Sequence, residues 1–476
     1  MSDDVKLLTA LLNKVDSILT GGDDVARPSP DSFLSWCLPG LPFQAADLQF
    51  AVKGITGKDG DETRTLVRTA AEFSRAVNYV PTVKNNTDEK HRHIYDQMGK
   101  SLWTVYDDVL KLSEVASSAL TEEQKQKIKK FRSLMTVTKT VKDIVTDEKK
   151  QLVEDGPMIK AYKGKKAAYD EASLAYNSKR LAALNGDDKA SVQDFTLNAD
   201  TYRGKVRAAM DDWTTNGYKD DVEKINAFIH QISQKDLTLL KADLQDAFKI
   251  GKMTDPTSGG EFYLTSFYPG NFVNDDKGWT KFTFFAANTD SYSKQTHSST
   301  SGGGGFNFGL WRVGGSGGST KDTSLGSLDA SDFYMEFSIT QVSLSRPWFS
   351  PEFLLNTAWR FKEKLGQDAL SDGNVPAKGQ LTSYPTTAIF IKDVKIKSSS
   401  VHNFAETISS SLTAGASVGW GPFRISGSHS DSSTATTTRN NIVGDTLTIE
   451  GMQLLAFKSF PMPKSPNPSP DITRWV

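Results

Sequence analysis

Between Ile408 and Trp420 apolar and small polar residues alternate with a period of two, the spacing of a strand that presents one face to a nonpolar surface. Ile408, Leu412, Ala414, Ala416, Val418 and Trp420 fall on one face, interrupted only by Ser410. Thr407, Ser409, Ser411, Thr413, Gly415, Ser417 and Gly419 fall on the other. Gly421-Pro422 then permits a reversal. Phe423 and Ile425 continue the apolar face, with Arg424, Ser426 and Ser428 opposite. The stretch predicts a long amphipathic β-hairpin almost without charge.

Residues 302–319 show similar features in the same order. Gly305 and Gly309 match Gly415 and Gly419, Trp311 matches Trp420, and Arg312-Val313 matches Arg424-Ile425. Two amphipathic hairpins are therefore expected, at 292–320 and 407–438. Phe306, Phe308, Leu310 and Trp311 are the candidate membrane or assembly residues of the first. Leu412, Ala414, Ala416, Val418, Trp420, Phe423 and Ile425 would form the apolar face of the second.

Upstream the period changes. Val5, Leu8, Leu11, Leu12, Val15, Ile18 and Leu19 recur at spacings of three and four, which predicts a helix over 3–20 with Ser2 as N-cap and Gly21-Gly22 as its stop. Its polar face carries few of the cations that membrane-surface helices use, so packing on a neighbouring helix is the favoured expectation. Residues 26–57 hold Pro28, Pro30, Pro39 and Pro42 among aromatic residues and are expected to be irregular, pinned to a surface. Helical spacing resumes over 61–80 and 95–119. It continues from a capping box at Thr121–Gln124 through Ile128, Phe131, Met135, Val141 and Val145 to a break at Gly156-Pro157. Tyr162, Tyr169 and Tyr176 then recur every seven residues among Gly and Ala, a pattern suited to a close-packed antiparallel coiled coil. Two more helices fit 189–215 and 219–250.

Composition shifts near 253–260. Beyond it Gly, Ser, Thr and aromatic residues dominate, and Lys281–Phe284, Phe333–Leu344 and Thr386–Lys397 read as strands. Ser350–Lys364 reads as one helix, with Ser350 as N-cap and Pro351 at its first position. The expected fold class is α+β: an elongated N-terminal α-helical bundle over 1–255, an antiparallel, sandwich-like β domain with one short helix over 256–460, and a Pro-rich tail at 461–476, extended on the surface.

Charge narrows the partners. Lys plus Arg number 56 against 57 for Asp plus Glu, which lacks the positive excess of a dedicated nucleic-acid binder. Cys37 is the only cysteine, so no intrachain disulfide forms. An acidic MSDDVK start without an apolar h-region, and no run of roughly 18 apolar residues, predict neither a signal peptide nor a transmembrane helix. The expected location is cytoplasmic, or outside the cell by a non-Sec route.

Catalytic signals are missing. His91-Arg92-His93 has metal-pair spacing but no third ligand in a polar stretch, which favours a solvated loop. His297 and His429 lie in Ser/Thr-rich segments without a nucleophile elbow. The Gly302–Gly305 run is not followed by Gly-Lys-Ser/Thr, so it is no phosphate loop. No cofactor, metal or catalytic residue is expected, and glycoside hydrolysis is disfavoured because the carboxylates are scattered.

Two functional classes remain. The first is a non-enzymatic, homo-oligomerising, pore-forming or membrane-engaging protein of toxin-like type that deploys the two hairpins. A transmembrane strand needs about 9–11 alternating residues, and Ile408–Trp420 meets that length. The second is a soluble self-assembling structural protein, or a β-sandwich module that binds a carbohydrate or partner through Trp279, Trp311 and Trp420, with no membrane role.

Overall fold

The structure is a computed structural model. It describes residues 3–20, 33–81, 100–116, 122–142, 149–184, 189–233, 237–274, 278–293, 311–314, 320–323, 331–362, 370–374, 377–401, 408, 417–429 and 436–476. The fold is mixed α+β, and its strand pairs are antiparallel.

Helix α1 (Asp3–Thr20) follows its periodicity. The Pro-laced segment expected to be irregular instead contains strand β1 (Phe33–Phe43). Its register shifts between Trp36 and Leu41, so the bulge accommodates Pro39, which has no N–H to donate to a ladder. A 3₁₀ turn at Ala45–Leu48 and the short α2 (Phe50–Lys53) lead to α3 (Gly60–Val77). The Asp59 carboxylate caps α3 by accepting from the Asp61 and Glu62 amides.

Helix α4 (Leu102–Leu112) is capped by Ser101 and runs into β2 (Ser113–Val115). The expected capping box begins outside the described residues, but α5 (Glu122–Met135) forms. Helical spacing was expected to persist to Val145. The chain turns instead into a hairpin of β3 (Thr136–Lys142) and β4 (Lys149–Asp155), because Thr136, Val137, Thr138, Thr140 and Val141 are β-branched and lose rotamer freedom in a helix.

Pro157 opens α6 (Pro157–Leu184), which pairs with α7 (Lys189–Thr215). Tyr169 and Tyr176 are buried in this pair with Val206 and Trp213, and Tyr162 packs beside them. The Tyr162 and Tyr169 rings lie 5.4 and 5.7 Å from Trp213. Of the helix expected over 219–250, α8 (Lys219–Ser233) and α9 (Leu237–Ile250) are helical, and residues 234–236 between them lie outside the described residues.

Downstream come β5 (Lys252–Thr254), β6 (Glu261–Tyr263), β7 (Ser266–Tyr268), β8 (Thr280–Phe285) and the six-residue α10 (Asn288–Ser293). Strands β9 (Trp311–Gly314), β10 (Thr320–Thr323) and β11 (Tyr334–Ser345) follow. The helix expected over 350–364 is only α11 (Pro351–Leu355). Asn356 ends it in extended backbone, and β12 (Trp359–Phe361) pairs with β2 so that Trp359 and Phe361 are buried. The last strands are β13 (Ser383–Lys397), β14 (Ser417–Trp420), β15 (Phe423–His429), β16 (Thr436–Val443) and β17 (Thr446–Pro461).

One 11-stranded sheet runs β10-β9-β14-β15-β16-β17-β13-β11-β7, with β1 added beside β17 and β8 beside β11. Strand β17 is its hub. One side pairs with β13, while the other is shared between β16 and β1. Helix α1 and strand β1, from the start of the chain, are thus built into the same cores as the C-terminal strands. The tail is not a free extended arm. Met462 and Ser465 are buried, and bridges tie Ser465 to Ser371 and Trp475 to Ala116.

Candidate functional site: a buried helix clasped by a hairpin

Helix α1 has an amphipathic sequence. With 100° per residue, Leu8, Leu12, Val15 and Leu19 share one side, and Thr9, Asn13, Asp16 and Ser17 lie opposite. Such a pattern suits contact on one face. The structure covers both. Leu8, Leu12 and Val15 are at most 1% exposed, yet Asn13, Lys14, Asp16 and Ser17 are at most 4% exposed.

The polar side is covered largely by α10. Asn13 Nδ2 donates to the Tyr292 carbonyl at 2.8 Å, Lys14 Nζ donates to Asn288 Oδ1 at 2.8 Å, and Lys6 pairs with Asp290 at 2.5 Å. The Lys14 ammonium also lies 5.7, 5.9 and 5.7 Å from the ring centres of Phe282, Phe284 and Tyr292. Ring quadrupoles offset part of the cost of burying that charge.

The hairpin β14–β15 closes the apolar side. Its turn is Gly421-Pro422, as the sequence predicts, with Trp420 opposite Phe423. Gly421 has φ +54, and proline fixes a negative φ after it, the sign pattern of a type II′ hairpin turn. A Cβ on Gly421 would lie 2.7 Å from Leu8 Cδ1, so glycine is needed for the close approach as well as the conformation. Trp420 and Phe423 stack 6.0 Å apart and reach Phe333 and Phe337 at 5.7 and 5.8 Å. The Trp420 indole N–H is buried without a hydrogen-bond partner among the described residues.

On the opposite face, expected to be polar, Arg424 is buried too. Arg424 Nε donates to the Gly40 carbonyl at 2.9 Å, and Gln453 exchanges hydrogen bonds with the Arg424 backbone at 2.9 and 2.8 Å. Burial pulls the Arg424 guanidinium down to about 10.

The predicted face residues are distributed as follows. Val418, Trp420, Phe423 and Ile425 are each 0% exposed and meet in one core with α1. Trp311 begins β9, directly opposite Trp420 in β14. Phe306, Phe308, Leu310, Leu412, Ala414 and Ala416 lie outside the described residues.

The first hairpin differs from its expected span. Tyr292 is helical in α10, and the paired strands are β9 and β10. Ile408 is helical as well, and residues 409–416 lie outside the described residues. The two blocks pair with each other through β9 and β14, but they are not equivalent. Trp311 opens its strand, whereas Trp420 closes its own and Arg424-Ile425 lie across the turn.

Trp279, one of the proposed sugar-stacking residues, has Lys392 4.7 Å over its ring and donates its indole N–H to the Phe272 carbonyl. Cys37 is buried, which pushes its thiol pKa up. His91, His93, His297 and His402 lie outside the described residues. Among the described residues no cluster of three His, Cys, Asp or Glu could hold a metal, and no helix is long and apolar enough to cross a membrane.

The polar cover on α1 is what sequence reasoning missed. Its signal is faint: the polar side of α1 is mostly uncharged or sparsely charged, and the covering segment, Asn288–Ser293, is too short to stand out as a helix. Compared with models of known families, with curated proteins and with solved structures, the chain matches none.

Proposed function

We propose that this protein is a non-enzymatic, membrane-engaging protein that stores an amphipathic helix and a low-charge hairpin in a closed fold, and assembles into homo-oligomers when they are released. The observation that carries the proposal is the mismatch in α1: a one-sided helix buried on both sides. Local patterns that disagree with their surroundings concentrate at functional elements, because a well-folded core otherwise selects agreement at every level.

The energetics are consistent with release into lipid rather than water. Seven buried aliphatic side chains on α1 represent on the order of 10–20 kcal/mol of apolar burial, at about 1.5–3 kcal/mol each. Water would forfeit that amount. A bilayer interface would keep most of it while hydrating Thr9, Asn13, Asp16 and Ser17. The same reasoning applies to Val418, Trp420, Phe423 and Ile425. In this proposal the helices α5–α9 form the elongated supporting bundle, and the β part, sandwich-like around α1, supplies the inserting hairpins.

Dye-loaded vesicles of phosphatidylcholine and phosphatidylserine test the proposal, with light-scattering mass measured before and after vesicles are added. Leakage accompanied by a rise in mass is expected. An unchanged monomer that releases no dye would overturn the proposal. Growth in mass without leakage would favour soluble self-assembly instead.

A further inference from the structure

We infer that α10 is a latch on α1: the short helix holds the polar side of α1 closed, and its lifting is the step that frees α1. The inference rests on the proposed release of α1, and it specifies how that release is controlled. Three observations converge on it. Lys6, Asn13 and Lys14, spread over two turns of α1, all reach α10. Their partners Asn288, Asp290 and Tyr292 lie within five consecutive residues, so one small element carries all three links. Strand β8 delivers α10 to this place, and Asn288 is anchored there by accepting from the Phe285 amide at 3.0 Å as well as from Lys14.

The contacts have the chemistry of a reversible clasp. The polar links include two hydrogen bonds and one ion pair whose Asp290 side chain is 79% exposed, and beside them Tyr292, 0% exposed, shares the core that holds α1. The polar links bias the closed state and can exchange with water, and the Tyr292 ring must leave the core with them, so α10 lifts as one unit. Lifting α10 would remove these partners from the buried Asn13 and Lys14, which raises the free energy of the seated helix and favours its departure. A surface that hydrates those groups, or competes for Lys6 and Lys14 with anionic headgroups, would drive the same change.

Hydrogen exchange by mass spectrometry tests the latch without any membrane. Asn288→Ala should raise exchange in peptides covering 3–20 by about tenfold or more while peptides from β13 and β17 keep their protection. Asp290→Ala, at an exposed position, should do the same more weakly and guards against failure of the first variant to fold. Unchanged exchange in α1, or an equal rise across β13 and β17, would overturn the inference.

A second arm uses Lys6→Cys with Asp290→Cys in a Cys37→Ala background, joined by a short bis-maleimide. Bridged protein should release dye at a rate lowered by about tenfold relative to the unbridged form. Equal leakage would refute the latch and leave the membrane proposal standing. If no form leaks, the membrane proposal fails and exchange alone decides the latch.

Discussion

Two short antiparallel hairpins in this chain meet opposite fates. β3–β4 carries Thr136, Thr138, Lys139 and Thr140 into solvent, and Val137 is 38% exposed. In β14–β15 residues 418–425 are buried, against α1 and the β11–β13 region on one side and, through Arg424, against β1 and β17 on the other. In β3 the β-branched residues are enough to set the backbone form. In β14–β15 the form depends on a glycine turn, and the position depends on partners hundreds of residues away. Local sequence chooses the conformation of both; only long-range contacts decide which becomes core.

The largest expected effect separates the two. Trp420→Ala should lower stability by about 3–5 kcal/mol in chemical denaturation, the cost of an emptied aromatic site. Val137→Ala, its counterpart on the exposed hairpin, should stay within about 0.5 kcal/mol. Equal losses at both would erase the contrast.

Next comes the turn. Gly421→Ala should cost about 1–3 kcal/mol, because alanine at positive φ is strained and its methyl would press on Leu8. Combined with Leu8→Ala, the loss should fall short of the sum of the two single losses if the contact is real, whereas pure backbone strain would give additive losses.

The smallest effect is electrostatic. Lys458 on β17 is brought down to about 8, chiefly by burial, with Lys166 adding to the depression and Asp170 and Asp16 opposing it. Its ordinary value is about 10.4, so between these two pH values the unfolded chain binds more protons than the folded one. Stability should therefore rise from pH 9 to pH 10, by about 1 kcal/mol, in denaturant titrations. Lys458→Met should remove that increment. The exposed pair Lys139–Glu154, 2.7 Å apart in β3–β4, should contribute almost nothing by the same measure.

Much of the fold was legible because periodicity survives wherever one face is buried. Helix α1, strands β11 and β13, and the tyrosines of α6 all follow their spacing. The failures have separate physical causes. Residues 136–145 fit both a helical and a strand pattern, and side-chain branching settled the choice. Helix α11 stops at Leu355 because Trp359 and Phe361 are drawn into a core with α4 and α9. β1 was hidden by its prolines, which a bulge tolerates. The tail was hidden because its burial is entirely tertiary. For the candidate site, the turn Gly421-Pro422 and the faces of Trp420 and Phe423 were readable. The double burial of α1 was not, since no local pattern records that a polar side will find Asn288 and Tyr292.

The hub position of β17 has a consequence for how the chain is made. Phe33 pairs with Ser459, and Leu8 packs on Gly421. At about 5–20 residues per second, a ribosome needs roughly 20–80 s between synthesising the first member of each pair and the second. Throughout that interval Leu8 lacks its partner in the hairpin turn, and β1 lacks the strand it pairs with. The nascent chain therefore presents a sticky helix for most of its own translation, and its yield in a cell should depend on chaperone capacity more than on the stability of the finished fold.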